Sequence, residues 1–106
     1  MNLARRRIGS QHATSIFRIN HFDAKAGMES QVFAFLGNVV TVVRGSPGCI
    51  AVTLLRSADN PRQFVIIEEW DGIEAHQHAA SAVPMEKIQE IVAMLENPVK
   101  GAYYSE

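Results

Sequence analysis

The chain has 106 residues, 47% of them apolar and 20% charged, which is the size of one ordinary domain with enough apolar side chains to bury a core without staples. That balance excludes a disordered chain. Ten basic side chains, three of them Arg5, Arg6 and Arg7, stand against eleven acidic ones for a net charge of −1, and this excludes the basic footprint of a nucleic-acid binder.

Residues 1–14 read as a flexible N-terminal tail with solvated arginines, and residues 15–106 as one folded domain. No run approaches the ~18 apolar residues of a membrane span, and nothing apolar follows the arginines as the core of a secretion signal. The expectation is a cytoplasmic protein without a membrane or nucleic-acid partner. Cys49 is the single cysteine, so it has no partner for an internal disulfide or a zinc knuckle and reads as a small packed side chain.

The first predicted strand is "SIFRINHF", Ser15 to Phe22. Phe17, Ile19 and His21 alternate with Ile16, Arg18, Asn20 and Phe22. "DAKAG" turns the chain, and Val32, Phe35, Leu36, Val39, Val40 and Val43 then recur at the spacing of an amphipathic helix from Met28 to about Val43. "RGSPG" ends it, because Pro47 cannot continue a helix and Gly48 frees the backbone. "CIAVTLLR" (49–56) and "QFVIIEEW" (63–70) are predicted strands joined by "SADNPR", hence an antiparallel pair.

Asp71 and Glu74 have the spacing of a capping box, predicting a helix directly after Trp70. "SAVP" interrupts it, Pro84 opens a second helical segment with Met85, Ile88, Ile91, Val92 and Leu95 on its apolar side, and "VKGAYYSE" supplies a last strand. The order strand, helix, strand, strand, broken helix, strand predicts an α+β, ferredoxin-like split β-α-β fold: a four-stranded antiparallel sheet with helices on one face. Apolar residues occupy both sides of the strands, so the uncovered face is expected to meet a second copy in a homodimer.

Nucleotide-binding glycine loops, paired-cysteine zinc motifs, the metalloprotease helix and the nucleophile elbow are all absent from the sequence. Chemistry is left to "EEWDGIEAHQH", Glu68 to His78, and to the polar residues of the first strand. His76 and His78 lie two apart on a helix, about 200° around its axis, and cannot share one metal ion. Glu74 and His78 share a helix face, where a surface contact is the simpler reading, so no metal site is expected. Glu68 shares a strand face with Trp70. Buried there it is a candidate general base with raised proton affinity, and otherwise it forms a cross-strand ion pair with Arg18 or Arg56. Trp70 either packs a core or walls a pocket, which Asn20, Phe22, Glu68, His78, Tyr103 and Tyr104 would line with a few polar groups.

The run "GSPGCIAVTLLRSADNPRQFVIIEEWDGIEAHQHAAS", from Gly45 to Ser81, resembles the antibiotic biosynthesis monooxygenase family: a Pro-Gly-Cys strand start, a "DNP" loop, an "E-x-W" strand end, then a helix carrying Ala, His and Ser. The resemblance extends over Phe17 to Tyr104. It implies a ferredoxin-like dimeric α/β barrel and, in the family's enzymes, cofactor-free oxygenation of a small aromatic, polyketide-like or quinol substrate by O2, without metal or flavin. It further implies Asn20 and Trp70 as hydrogen-bond donors to the oxygenated ring and His78 as proton acceptor. Phe22, Glu68 and Tyr104 are expected from their place on the strands to contact substrate.

A relative of the same fold family degrades haem with a first-strand asparagine, a helix tryptophan and a ligating histidine. Asn20 suits the first position, but Ser81 stands where the tryptophan is expected and Ile91 where the histidine is, which makes haem binding a minor alternative. No tyrosine follows Trp70 in the helix, and a catalytically silent small-ligand-binding dimer is the principal non-enzyme alternative.

Overall fold

The computed structural model describes residues 15–106; the expectation of an N-terminal arginine tail lies outside the described residues. The chain runs β1 (Ile16–Asp23), α1 (Glu29–Arg44), β2 (Cys49–Arg56), β3 (Gln63–Trp70), α2 (Ile73–Ser81), α3 (Met85–Met94) and β4 (Lys100–Tyr104). The strands form one antiparallel sheet in the order β2-β3-β1-β4, the α+β ferredoxin-like arrangement predicted.

Side chains alternate across a strand, so the register sorts the helix-facing side into rows. Arg56, Phe64 and Phe22 form one row, Leu54, Ile66, Asn20 and Gly101 the next, and Val52, Glu68, Arg18 and Tyr103 a third. Beyond these Cys49, Trp70 and Ile16 close the sheet end, after a bulge that puts Ile50 out of register.

The apolar rows pack beneath α1 and α3. Val32, Leu36 and Val40 of α1, with Ile91, Met94 and Leu95, close over Phe22, Val52, Phe64 and Ile66 in one buried cluster. Of the apolar residues expected on α3 and its end, Ile91 and Leu95 are buried, whereas Met85, Ile88 and Val92 are exposed and Met94 is buried instead. A different packing holds α2, none of whose residues is buried. It stands over the polar row.

The predicted capping box is not formed. The α2 N-cap is Gly72, without a side-chain cap, because the Asp71 amide is bound to Gly48 O at 2.9 Å and the helix begins one residue later. Gly48 has φ +88°, and a Cβ there would lie 2.6 Å from Ala75 Cβ and 2.8 Å from Asp71 Oδ1. The bare backbone of Gly48 is thus what lets α2 approach. Gly48→Ala is expected to cost about 1–3 kcal/mol in a urea unfolding curve from the left-handed backbone alone, and to displace α2 and its next residue, His76.

Candidate functional site

The third row becomes a site because three of its side chains are polar and α2 lays a histidine over them. Glu68 is 4% exposed and Trp70 0%. Trp70 Nε1 donates to Glu68 Oε1 at 2.8 Å. His76 lies with Nε2 4.0 Å from that same oxygen, and its Nδ1 is 2.6 Å from the Tyr103 hydroxyl. The imidazole sits edge-on between two rings, with centroids 5.6 Å from Trp70 and 5.3 Å from Tyr103. On the other side Arg18 Nε donates to Asn20 Oδ1 at 3.1 Å, and the guanidinium lies 4.7 Å over the Tyr103 ring.

Burial sets the protonation of the two central groups in opposite directions. Desolvation pushes the Glu68 carboxyl above its ordinary 4.5, against the smaller opposing pull of the Trp70 indole N–H and the Arg18 cation. The imidazole of His76 is held below its ordinary 6.5 by burial first and by Arg18 second. A neutral ring with its proton on Nε2 lets the Tyr103 hydroxyl donate to Nδ1. The arrangement can therefore accept a proton through Tyr103 near neutral pH.

The residues expected at the site divide. Asn20, Glu68 and Trp70 are brought together, although the Trp70 N–H is spent on Glu68 rather than turned outward. His78 is exposed on α2, and the 200° step that separates it from His76 puts His76 inside instead. Phe22 belongs to the buried core, one row beyond Asn20 and opposite Phe64. Tyr104 is 51% exposed on the sheet face that no described helix covers, since alternation gives the helix side to Tyr103. Nor does the expected ion pair form among the described residues: Arg56 donates to Pro61 O at 2.8 Å, and no described arginine comes within 4.0 Å of Glu68.

His76 and Arg18 join the candidate site without being among the expected site residues. Strand phase carries the signal for Arg18, which faces the helices opposite Glu68 once Trp70 does, and helix phase the signal for His76, since one of two histidines 200° apart has to point back at the sheet.

Other positions gather less. Among the described residues no three His, Cys, Asp or Glu side chains converge to hold a metal ion. Where the haem relative requires tryptophan and histidine, Ser81 is exposed and Ile91 is core. A polar depression of about 140 Å³ lies at the opposite end of β1 and β3, lined by Asp23, Arg62, Gln63 and Glu96 among others. There Asn97 Nδ2 donates to Asp23 Oδ2 at 3.2 Å. No described helix is long and apolar enough to cross a membrane.

Residues 15–91 match the profile of the antibiotic biosynthesis monooxygenase family. The chain belongs to that family. Its sheet order and helix placement are shared with solved structures of similar size. These include SnoaB, a cofactor-independent oxygenase from Streptomyces nogalater, at 20% identity over 89% of this chain and 94% of that one, TM-score 0.76. Rv0793 from Mycobacterium tuberculosis is 21% identical over 88% and 95% of the two chains, TM-score 0.78. SO0527 from Shewanella oneidensis is 22% identical over 88% and 91%, TM-score 0.80. No curated protein sequence matches the chain. At these identities the structural likeness establishes the family's fold, and the polar row under α2 must be judged by its own chemistry.

Proposed function

We propose that the chain is a cofactor-independent monooxygenase acting on a small aromatic, polyketide-like or quinol substrate. The observation that carries this reading is the His76–Tyr103 pair beside a buried carboxyl, within a member of the monooxygenase family. In such a reaction the substrate supplies the electrons. Its hydroxyl proton passes to the Tyr103 oxygen as the Tyr103 proton passes to His76 Nδ1, and the resulting electron-rich anion reduces O2. O2 bonds to the ring carbon as a hydroperoxide; that carbon then loses its hydrogen as a proton while the O–O bond breaks, leaving one oxygen on the ring as a carbonyl and releasing the other as water with the proton returned by Tyr103 and His76.

Asn20 is the donor to the substrate oxygen in this scheme, since its Oδ1 accepts from Arg18 and its amide nitrogen is left to donate. Trp70 acts at one remove by fixing the Glu68 carboxyl. Neither metal nor flavin is required by these steps. Oxygen consumption with a panel of anthrones and hydroquinones is the test. The expected result is turnover with at least one of them that falls in His76→Ala and Asn20→Ala. Uptake from no substrate in the panel would leave a small-ligand-binding protein.

The same proposal includes a homodimer closed over the sheet face that no described helix covers, where Leu55 and Tyr104 are exposed. Sedimentation at micromolar concentration is expected to give twice the chain mass of 11.7 kDa, and a species of single mass would remove the sheet-to-sheet contact.

A further inference from the structure

Arg18 and Glu68 face each other across β1 and β3 on the helix side, a position where opposite charges on neighbouring strands ordinarily pair. Here they do not. The Glu68 oxygen is taken by Trp70, and Arg18 uses one donor, Nε, on Asn20 while its plane rests over Tyr103. Of the five N–H donors of a guanidinium, the four on the terminal nitrogens meet no acceptor among the described residues, and no carboxylate lies within 4.0 Å of them.

The neighbouring strand is shaped to keep the cation there. A Cβ at Gly101 would collide with Asn20 Oδ1 and Arg18 Nη2, so the missing side chain is the space in which the guanidinium and the amide lie together. A partly buried cation denied its cross-strand carboxylate has lost water without gaining a counter-charge. An anion placed against the terminal nitrogens restores the balance through charge-assisted hydrogen bonds, which a neutral hydroxyl cannot match.

We propose that Arg18 is the anion-recognising residue of the site and that the ligand class is a planar aromatic hydroxy compound held as its phenolate or enolate. This rests on the oxygenase reading for the aromatic ring, while the recognition itself requires no turnover. The ring oxygen meets Arg18 Nη with the Asn20 amide nitrogen beside it, and the released proton faces Tyr103 and His76.

The probe is 1,2-dihydroxyanthraquinone, a planar phenol that changes colour on ionisation, titrated by absorbance under nitrogen with its dimethyl ether as the uncharged match. Wild type is expected to lower the ionisation midpoint of the bound dye by about one pH unit or more. Arg18→Gln is expected to return it to the free-dye value and to weaken anion binding about tenfold or more, with Arg18→Lys recovering part and the ether binding alike to all three. Should Arg18→Gln not fold, Arg18→Met, which keeps the apolar stem and removes the charge, is titrated in its place with the same result expected.

An unshifted midpoint on wild type, or an equal shift in the variant that lacks the charge, overturns the assignment. A dye shift without any oxygen uptake removes the oxygenase and leaves anion recognition standing. Uptake that persists unchanged in Arg18→Gln does the opposite.

Discussion

His76→Ala is expected to lower kcat/KM for oxygen uptake by about 10²–10⁴-fold, the usual contribution of a positioned acid–base group, while His78→Ala leaves it unchanged. The two histidines sit on the same helix two residues apart, so the comparison holds composition, charge and helix propensity constant and changes only direction. One ring is 13% exposed and bound to Tyr103; the other is exposed to solvent. Tyr103→Phe is expected to fall with His76→Ala and the double variant to add little, because residues acting as a unit are not additive.

The same histidine has a signature in stability. Its folded value lies below the unfolded 6.5, so as pH falls through 6.5 the unfolded chain takes up the proton first. Stability is then lost until the folded value is passed. His76→Ala lacks that acid-side loss. Urea unfolding midpoints of the two proteins across this range are expected to converge as the pH is lowered, and parallel curves would show that His76 is not held neutral by the fold.

The elements that sequence periodicity located well are those whose ends carry strong breakers. β2 and β3 are predicted to the residue, since Pro47–Gly48 and the "SADNPR" loop bracket them and their β-branched runs have no competing helical phase. α3 is less legible. Apolar residues surround enough of it that Met85, Ile88 and Val92 read as core together with Ile91 and Leu95, although only the latter two and Met94 are buried. The cap after Trp70 fails for a tertiary reason, the Gly48 carbonyl holding the Asp71 amide.

At the site, phase along β1 and β3 is readable, and Asn20, Glu68 and Trp70 follow from it. The choice of His76 over His78, or Tyr103 over Tyr104, depends on the register of an element against the sheet. A one-residue slip exchanges the faces. The broken ion pair is less accessible still, because Arg18 and Glu68 are correctly opposite and only the indole nitrogen, reaching from two residues along the same strand, diverts the carboxylate.

Trp70→Ala is expected to destabilise the protein by about 3–5 kcal/mol, the usual cost of emptying a buried aromatic site, from a domain whose total stability is of order 5–15 kcal/mol. Trp70→Phe separates the two tasks of the indole, for it keeps most of the ring and removes the N–H that holds Glu68 at 2.8 Å. Leaving a buried acceptor without its donor costs about 1–3 kcal/mol. Part of that cost depends on pH with a definite sign. Glu68 already has a folded value above the unfolded 4.5, and the indole N–H is a restraint that lowers it; without it the folded value moves further up. A carboxyl raised in this way carries no penalty below 4.5 and an increasing one as pH rises through the folded value, where the unfolded chain releases the proton more readily. Trp70→Phe should therefore lose more stability at about pH 8 than at about pH 4, and Glu68→Gln, which keeps an oxygen for the indole and has nothing to ionise, should gain stability over wild type at the higher pH alone. Urea unfolding at both values measures all three proteins together. An equal cost of Trp70→Phe at the two pH values would mean that the indole is packing and not a clamp on the carboxylate, and Glu68 would then be free to turn to Arg18.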